Sequence, residues 1–461
     1  MKTPCVFFRF LCFLLTLLYS FFVSPLSTAS HSANLNSLDG RWLLTLEDDA
    51  RRMEMPADLR IDSGAVANLV LLGKTDGEPG LFTGLLDGNR LSVKGNYSRR
   101  PAEISLRVSG NRMAGRITGD LLEAEIYATR SLDAGTEVSA KRYEALLGAV
   151  LNGVTEHFYD PRLNGVNLNA LRARHLPKVK AARNEGELVV AIRKMLAELN
   201  ASHLEFFYSL DQAQIVHKQE PIVWRQIEPG IGYLALLGFP AENLRDFDSL
   251  LNLAMSELVK NPALVIDLRG NRGERLDSAL AALNIILPEG HPVAFFATRQ
   301  AMSRMNISSI DRIDPSTLPS AYAGDNRETA KFQGAGMYLA GGKFKSPYHG
   351  RIALLVDEGC RGSCELFAAA MQEAHQATLF GRRTRGSMLL SIPVNFTIIG
   401  WMGFPRDQVR GWQLEVPTTE VRTAGGAKIE GRGVEPDIVV ERMTTNDADL
   451  ARVLEWLNGK P

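Results

Sequence analysis

A short apolar segment that runs into a glycine-rich corner, and from there into a helix-forming run, constrains this fold more than any other feature. Ile352–Val356 has the composition of a buried strand, the corner reads DEGCRGSCE over 357–365, and LFAAAMQEAHQA follows. The corner places the hydroxyl of Ser363 at a helix N-terminus, where unpaired N–H groups and the helix dipole favour negative charge. An acyl-transfer enzyme needs this environment around its nucleophile. Serine is also a preferred N-cap, so the corner alone leaves both roles open for Ser363.

The first 29 residues have the pattern of an export signal. Lys2 and Arg9 give a positive start, Phe10–Val23 is almost wholly apolar, and the small residues Ser27-Thr28-Ala29 end the segment. The apolar run approaches the length of a short membrane span, so an uncleaved anchor is an alternative. We therefore expect an exported protein, periplasmic or extracellular, that meets a membrane only if this segment is retained.

Two cysteines remain after the signal, and both lie in the corner. Cys360 and Cys364 are spaced i, i+4, and in an oxidising compartment such a pair can form a local disulfide. Helical spacing lies near the geometric limit for a bridge. Two thiols without nearby ligand partners make a weak metal site, so we expect no metal.

The overall charge argues against nucleic acid as a partner. The chain has 52 basic and 52 acidic residues, a difference of zero, and no basic stripe interleaved with aromatic residues. Its length of 461 residues suggests two or three domains with at least one large core. The sequence does not indicate the oligomeric state.

The segment 34–131 has an all-β pattern. Short runs such as Ala102–Val108 and Met113–Ile117 alternate apolar and polar residues, and turn signals such as Asp87-Gly88-Asn89 separate them. Strands of this length and spacing predict a small barrel or sandwich. We interpret it as a binding or docking module, without a ligand that the sequence identifies.

The rest of the chain predicts an α+β multidomain architecture, with a helical segment over 141–210 and an α/β core over 220–445. A long polar insertion over 299–350 shows no clear periodicity and is expected to be a lid, a binding loop or disordered. A short helix near Leu450–Leu457 closes the chain within 446–461. The predicted helices are Tyr143–Phe158, Glu185–Leu199 (capped by Asn184), Leu244–Val259 and Leu276–Leu287. The predicted strands are Tyr233–Leu237, Ala263–Leu268 and Val293–Ala297.

Four motifs in order resemble the core of the tail-specific, or C-terminal-processing, serine protease family. They are LVIDLRGNRG (264–273), VDEGCRGSCELFAAAM (356–371), LFGRRTRGS (379–387) and EGRGVEPDIVVE (430–441). The segments 157–179 and 195–207 resemble the helical region of the tricorn-core branch, and no stretch has room for a peptide-binding PDZ domain. The resemblance implies a crotonase-like core and a hydrolase that uses no cofactor.

The resemblance also implies a set of site residues. The tail-specific branch carries a lysine where this chain reads Thr384-Arg-Gly-Ser, so the tricorn-like Ser-His pair, Ser202-His203, is the better match. His203 would be the general base, Ser202 would orient a carboxylate, and Glu430 would hold the imidazole. The oxyanion donors would be Gly273 and the residue after the nucleophile, Cys364. A serine hydroxyl needs such a base to become nucleophilic.

Two departures from the family pattern bear on activity. The family places its nucleophile three residues before the glutamate that Glu365 matches, and that position is Gly362 here. Ser363 is one residue later, which at a helix start turns a side chain by about 100°. The usual Gly-Gly of the oxyanion turn is Gly273-Glu274, which brings a carboxylate beside the hole.

We therefore expect a serine-type peptidase that cleaves peptides or unfolded proteins, with Ser363, His203 and Glu430 as its Ser-His-Glu arrangement. The alternative is a catalytically inactive peptide-binding relative that has lost the nucleophile, with Gly362 in its place. A carrier of hydrophobic ligands is a third class, because some relatives in the family bind retinoids; it would need a dry apolar cavity at the site.

Overall fold

The computed structural model describes most of the chain after the predicted signal. The described residues are 38–49, 51–119, 122–131, 140–210, 216–217, 220–240, 244–322, 332–341, 348–395, 411–441 and 447–459. The predicted export signal over 1–29 lies outside them. No helix among the described residues is long and apolar enough to cross a membrane.

The first unit is a closed barrel of eight antiparallel strands. Its strands are Gly40–Glu47 (β1), Arg51–Ile61 (β2), Val66–Leu71 (β3), Leu81–Asp87 (β4), Arg90–Tyr97 (β5), Arg100–Ser109 (β6), Arg112–Gly119 (β7) and Leu122–Arg130 (β8). Each strand pairs with the next, and β1 pairs with both β2 and β8, which closes the sheet. Alternate residues point inward, so Trp42, Phe82 and Ile117 fill the interior. The predicted β-barrel is confirmed.

Three helices follow the barrel: Ala140–His157 (α1), Leu168–Lys180 (α2) and Glu185–Ala197 (α3). The side chain of Asn184 caps α3 as predicted, because it accepts a hydrogen bond from the Glu187 N–H at 2.8 Å. Helix α2 was not predicted; it has a Pro177 inside and a narrow apolar face. The three helices pack around a shared apolar cluster that also takes in Leu414 and other residues of the second core sheet.

The α/β core contains a six-stranded sheet that is parallel except at one edge. In spatial order its strands are Ile222–Glu228 (β11), Ile231–Leu236 (β12), Ala263–Asp267 (β13), Arg351–Val356 (β17), Thr378–Gly381 (β18) and Ile438–Val439 (β21). One face packs against three helices, Leu244–Leu258 (α4), Leu276–Ile286 (α5) and Ser363–Glu373 (α7). The closing helix, Ala448–Leu457 (α8), covers the other face. The predicted strand, corner and helix around position 363 are thus β17, its loop and α7.

A second six-stranded sheet completes the core. Its strands in spatial order are Ser320–Tyr322 (β15), Ala335–Leu339 (β16), Pro292–Thr298 (β14), Trp412–Thr423 (β20) and Leu389–Asn395 (β19), with Glu205–Tyr208 (β9) also paired to β20. The expectation that 299–350 lacks regular structure is wrong for its described part. Helix Arg299–Arg304 (α6) packs beside β14, and β15 and β16 extend the sheet because β16 pairs with β14. Short strands within a polar segment left no clear period to detect.

A buried arginine joins the barrel to the helical segment. Arg193 of α3 is 2% exposed, and its guanidinium donates to the backbone carbonyls of Leu71 at 2.7 Å and Leu72 at 3.1 Å, and to that of Phe206 at 2.9 Å. Arginine carries five N–H donors, so one side chain can satisfy several carbonyls at once. A two-residue strand, Val216–His217 (β10), also pairs with β2 of the barrel. The barrel is therefore fixed against the rest of the chain rather than loosely tethered.

Candidate functional site

Glu430, Ser202 and His203 form a continuous hydrogen-bonded chain. Ser202 donates its backbone N–H to Oε1 of Glu430 at 2.8 Å and its hydroxyl to Oε2 at 2.8 Å. The Ser202 oxygen lies 2.9 Å from Nδ1 of His203. These groups are 228 residues apart in the sequence and meet where the turn after α3 reaches the loop after β20. The serine oxygen thus links the carboxylate to the imidazole, and the catalytic roles expected for these three residues stay predictions.

His203 is both reachable by solvent and closely surrounded by protein. Its backbone has a positive φ of 57°, a conformation that is uncommon for residues other than glycine. Burial lowers the pKa of His203, and the negative charges of Glu415 and Glu430 only partly oppose this shift. The ring therefore stays neutral, and able to accept a proton, at lower pH than an ordinary histidine.

A second carboxylate that the sequence did not single out stands near the histidine. Glu415 of β20 forms an ion pair with Lys74 of the barrel and accepts a hydrogen bond from the Ser391 hydroxyl. Burial alone would raise the pKa of Glu415, but Lys74, Ser391 and the charge of His203 lower it. Because Lys74 belongs to the loop between β3 and β4, the barrel borders the site directly.

A short strap over residues 386–388 connects this chain to the corner. The N–H of Met388 donates to Oε2 of Glu430 at 2.8 Å, and the N–H of Ser387 donates to Oε2 of Glu365 at 2.7 Å. Glu365 lies in the first turn of α7, two residues after Ser363. The strap thus holds the two carboxylates in fixed relation, so the Glu430–Ser202–His203 chain and the start of α7 belong to one site.

Glu365 is a buried carboxylate, and both of its oxygens accept hydrogen bonds. It also accepts hydrogen bonds from the N–H of Gly362 at 3.1 Å, the hydroxyl of Thr384 at 2.6 Å and the N–H of Gly386 at 2.5 Å. Burial raises its pKa, and these hydrogen bonds work in the opposite direction. The bond to Gly362 is the carboxylate half of a capping box, which fixes where the helix begins.

Gly362 is the residue of the corner that has a positive φ. It is the N-cap of α7, with φ 59° and ψ −127°, and Ser363 is the first helical residue, so the N-cap role considered for Ser363 is wrong. A Cβ at position 362 would lie 3.0 Å from the carbonyl oxygen of Gly273 and 3.8 Å from that of Ser387. A side chain here would project from a sharp strand-to-helix turn into the space between the Gly273 turn and the strap. Such a turn is how hydrolases on α/β sheets present a nucleophile.

Ser363 makes no hydrogen bond to His203 in this structure. It is 4% exposed, and its hydroxyl oxygen is buried without a hydrogen-bond partner among the described residues, His203 included. A buried hydroxyl without a partner costs about 1–3 kcal/mol. The hydroxyl proposed as nucleophile therefore lies in an unfavourable position, and the role of Ser363 stays a prediction.

The two predicted oxyanion donors are occupied by internal hydrogen bonds. The N–H of Gly273 donates to the Asn271 side chain at 2.8 Å, and the N–H of Cys364 donates to the carbonyl of Arg361 at 3.2 Å. Gly273 nevertheless touches the corner closely, since a Cβ on it would lie 2.0 Å from the Arg361 carbonyl and 2.7 Å from the N atom of Ser363. Glycine is required there, and the donor assignment stays a prediction.

Cys360 and Cys364 form a disulfide across the corner, with Cα atoms 5.5 Å apart. It links the loop after β17 to the first turn of α7 and encloses Gly362 and Ser363. Among the described residues, no cluster of three or more His, Cys, Asp or Glu side chains could hold a metal ion. Asp267 and Arg269, which the motif also contains, form an ion pair at 2.6 Å that extends to Asp447.

Sequence reasoning missed the parts of the site that no motif marks. Lys74 and Glu415 lie in unrelated segments, and only the fold brings them to His203. The capping role of Glu365 could have been predicted, because a glutamate at the third position of a helix is a capping-box signal. The glutamate beside Gly273, Glu274, is exposed.

Two family models match this chain, one over the α/β core and one over the helical segment. Residues 230–440 match Peptidase family S41, and residues 139–197 match the Tricorn protease C1 domain. The first region includes Gly273, the corner and Glu430, and the second covers α1 to α3. Ser202 and His203 lie between the two.

Individual relatives cover part of this chain. A carboxy-terminal-processing protease of Bartonella bacilliformis is 25% identical over 221 residues, which is 47% of this chain and 40% of that protein. A protein of Staphylococcus epidermidis named as a CtpA-like serine protease is 20% identical over 210 residues, 46% of this chain and 33% of that protein. The chain thus spans less than half the length of these curated relatives.

A solved structure supports the fold over a longer stretch. The crystal structure of a candidate peptidase from Parabacteroides merdae aligns with 70% of this chain and 98% of its own, with a TM-score of 0.51 and 15% identity. The similarity extends to the fold alone. The family models and the ordered motifs identify residues 230–440 as a domain of peptidase family S41, the tail-specific protease family, preceded by a helical region that matches the tricorn C1 domain.

Proposed function

We propose that this chain is a serine-type peptidase that cleaves peptide bonds in exported polypeptides. The observation that carries the proposal is the assembled chain from Glu430 through Ser202 to His203, placed beside a strand-to-helix corner. A structural histidine needs no carboxylate fixed by a strap from the nucleophile corner. The domain match to peptidase family S41 supports the same reaction class.

In this proposal each group has one chemical task. His203 accepts the proton of the attacking hydroxyl through Nε2, since Nδ1 faces Ser202, and later returns it to the leaving amine. Ser202 and Glu430 hold the ring and stabilise its charged form. Ser363 attacks the peptide carbonyl, and the N–H groups of Gly273 and Cys364 stabilise the oxyanion once they are released from Asn271 and Arg361. The barrel, which supplies Lys74 to the cleft, helps to select the peptide.

Attack by Ser363 requires the corner to change when substrate binds. Its hydroxyl is now buried and unpaired, so a turn toward His203 would recover a hydrogen bond that the resting corner lacks. Gly362, which tolerates both positive and negative φ, gives the backbone the freedom for that turn.

A second function, a peptide-binding relative without turnover, is favoured by Gly362. The special backbone conformation of the corner falls on this residue, which has no side chain to serve as nucleophile. In that case the groove and the base assembly persist, and the chain holds a peptide without cutting it.

A serine-directed fluorophosphonate probe, followed by mass spectrometry of the labelled peptide, separates the two functions. The peptidase proposal predicts covalent labelling of Ser363, which His203→Ala abolishes while the fold is retained. Absence of label in the folded wild-type protein, together with saturable binding of an unfolded polypeptide, would replace it with the peptide-binding function.

Export is part of the proposal and has its own test. The pattern of residues 1–29 and the disulfide Cys360–Cys364, a bond typical of oxidising compartments, both support it. Expression of the full chain in a bacterial host, followed by fractionation and N-terminal sequencing, should give a periplasmic protein that starts near Ser30. A protein that stays in the cytoplasm with Met1 intact would contradict it.

A further inference from the structure

A pocket lies between the barrel and the core, next to the corner that contains Gly362 and Ser363. The hairpin turn between β5 and β6 and the facing ends of β7 and β8 form its barrel wall. Core loops around residues 270–272, 357–361 and 385 form the other wall. Two of its lining residues, Arg272 and Arg361, directly precede Gly273 and Gly362.

The lining of this pocket is strongly basic. Four arginines line it, Arg100, Arg272, Arg361 and Arg385, against two carboxylates, Asp357 and Glu358, which leaves a formal charge of 4 − 2 = +2. Both carboxylates already have partners of their own. Oδ1 of Asp357 accepts hydrogen bonds from two loop N–H groups at 2.8 and 2.9 Å, and Glu358 is shared between Arg100 at 3.8 Å and Arg382 at 3.3 Å.

Two of the arginines carry buried N–H groups without an acceptor. Nη1 of Arg100 and Nη2 of Arg385 have no hydrogen-bond partner within the part of the chain that the structure describes. The other Arg385 nitrogen, Nη1, donates to the carbonyl of Ser98 at 2.9 Å, which anchors this side chain across the interface. The charge of Arg361 is matched by Asp76 at 2.6 Å, so Arg361 frames the pocket rather than supplying its free donors.

The electrostatic environment agrees with the geometry. Burial, together with repulsion from Arg51 and Arg361, lowers the pKa of Arg272 to about 10. Burial also lowers the pKa of Arg385 to about 10, against the attraction of Asp76. Both groups stay charged at neutral pH, and in each case like charges nearby disfavour the cation. A bound anion would reverse that penalty.

We propose that this pocket binds a small oxyanion, a carboxylate or phosphate group with at least two acceptor oxygens, between Arg100 and Arg385. The planar guanidinium presents paired N–H donors that match two oxygens of such a group. One donor comes from the barrel and the other from the core, so the ligand bridges the two units. The oxyanion is either free in solution or the acidic side chain of a bound polypeptide.

The test is a titration of the full mature chain with inorganic phosphate, followed by calorimetry in chloride buffer of constant ionic strength. Saturable binding is expected in the wild-type protein. Arg100→Gln should weaken it about tenfold or more, since a hydrogen bond to a charged group is worth at least that much. Arg383→Gln is the matched control. Arg383 belongs to the same arginine-rich loop as Arg385, but it is exposed and lies outside the pocket.

A second arm distinguishes the source of the oxyanion. An unfolded peptide with one glutamate is compared with its glutamine counterpart. If an acidic side chain occupies the pocket, the glutamate peptide binds more tightly to the wild-type protein, and Arg100→Gln removes the difference. If the two peptides bind alike while phosphate binds, the free oxyanion is the ligand.

The proposal fails if neither phosphate nor the glutamate peptide shows saturable binding, or if Arg383→Gln weakens binding as much as Arg100→Gln. Should Arg100→Gln not fold, Arg100→Lys replaces it, because lysine keeps the charge and loses the paired donors. Undiminished binding in that folded variant and in Arg385→Gln would equally overturn the assignment.

Discussion

Replacing Gly362 with serine puts a hydroxyl on the residue that already has the projecting backbone conformation. At φ 59° and ψ −127°, a residue with a side chain costs about 1–3 kcal/mol relative to an unstrained position. The new Cβ would also lie 3.0 Å from the carbonyl oxygen of Gly273, a tight contact. Reduced entropy of the unfolded chain returns about 0.4–1 kcal/mol. We expect Gly362→Ser to lose about 1–2 kcal/mol of stability, or a few degrees of Tm.

The same substitution should create or raise peptide hydrolysis. The new side chain would start 3.8 Å from the carbonyl oxygen of Ser387, whose neighbour Met388 holds Glu430, and we expect the hydroxyl to come within reach of His203 from there. General-base catalysis contributes about 10²-fold or more, so the increase should be well above assay noise. Hydrolysis of a fluorogenic unfolded protein and differential scanning fluorimetry measure the two effects on one sample.

Gly362→Ala is the matched control for this prediction. It has the same Cβ and the same backbone cost but no hydroxyl, so it should lose a similar Tm and gain no activity. A Gly362→Ser protein as stable as the wild type would refute the strain argument. Equal activity in the serine and alanine variants would refute the alignment of position 362 with the family's nucleophile.

Two further predictions follow from the charges that the fold brings together. Arg193→Met should lower the free energy of unfolding by about 3–5 kcal/mol, because it leaves several buried carbonyls and Glu205 without their cation. Denaturant unfolding measures this loss. The control, Lys194→Met on the exposed face of α3, should change the free energy of unfolding by less than about 0.5 kcal/mol. Equal losses in the two variants would contradict the clamp. Lys74→Met removes a positive charge that lowers the pKa of His203, so this pKa should rise, whereas Glu415→Gln removes a negative charge that raises it, so the pKa should fall further. NMR titration of the histidine ring gives both values without any need for activity, and shifts in the same direction would contradict the assigned neighbours.

The sequence was sufficient for the parts of this protein that follow local rules. Alternation and turn signals predicted the barrel, and apolar patterns predicted α1, α3 and three of the six strands of the first sheet, β12, β13 and β17. Helix α2 was missed because its period is weak, and β15 and β16 were missed because short edge strands carry little pattern. Their stability comes from tertiary pairing rather than from local preference.

The candidate site divides in the same way. The ordered motifs led to Ser202, His203 and Glu430, which the fold brings into contact. The hydrogen bonds of the strap to Glu365, and the occupation of the Gly273 N–H by Asn271, depend on loop geometry that spacing does not encode. The sequence showed that this chain has a glycine at the family's nucleophile position and a serine one residue later. The backbone angles show that Gly362 has the positive φ of the turn and that Ser363 begins the helix.

The measurement that tests the central claim most directly is degradation of an unfolded protein by residues 30–461, side by side with Ser363→Ala. The peptidase account predicts turnover by the wild-type chain and its loss in Ser363→Ala, with unchanged folding by circular dichroism. Turnover that persists in Ser363→Ala would contradict Ser363 as the nucleophile. No turnover in either protein would contradict the peptidase itself and leave the peptide-binding function.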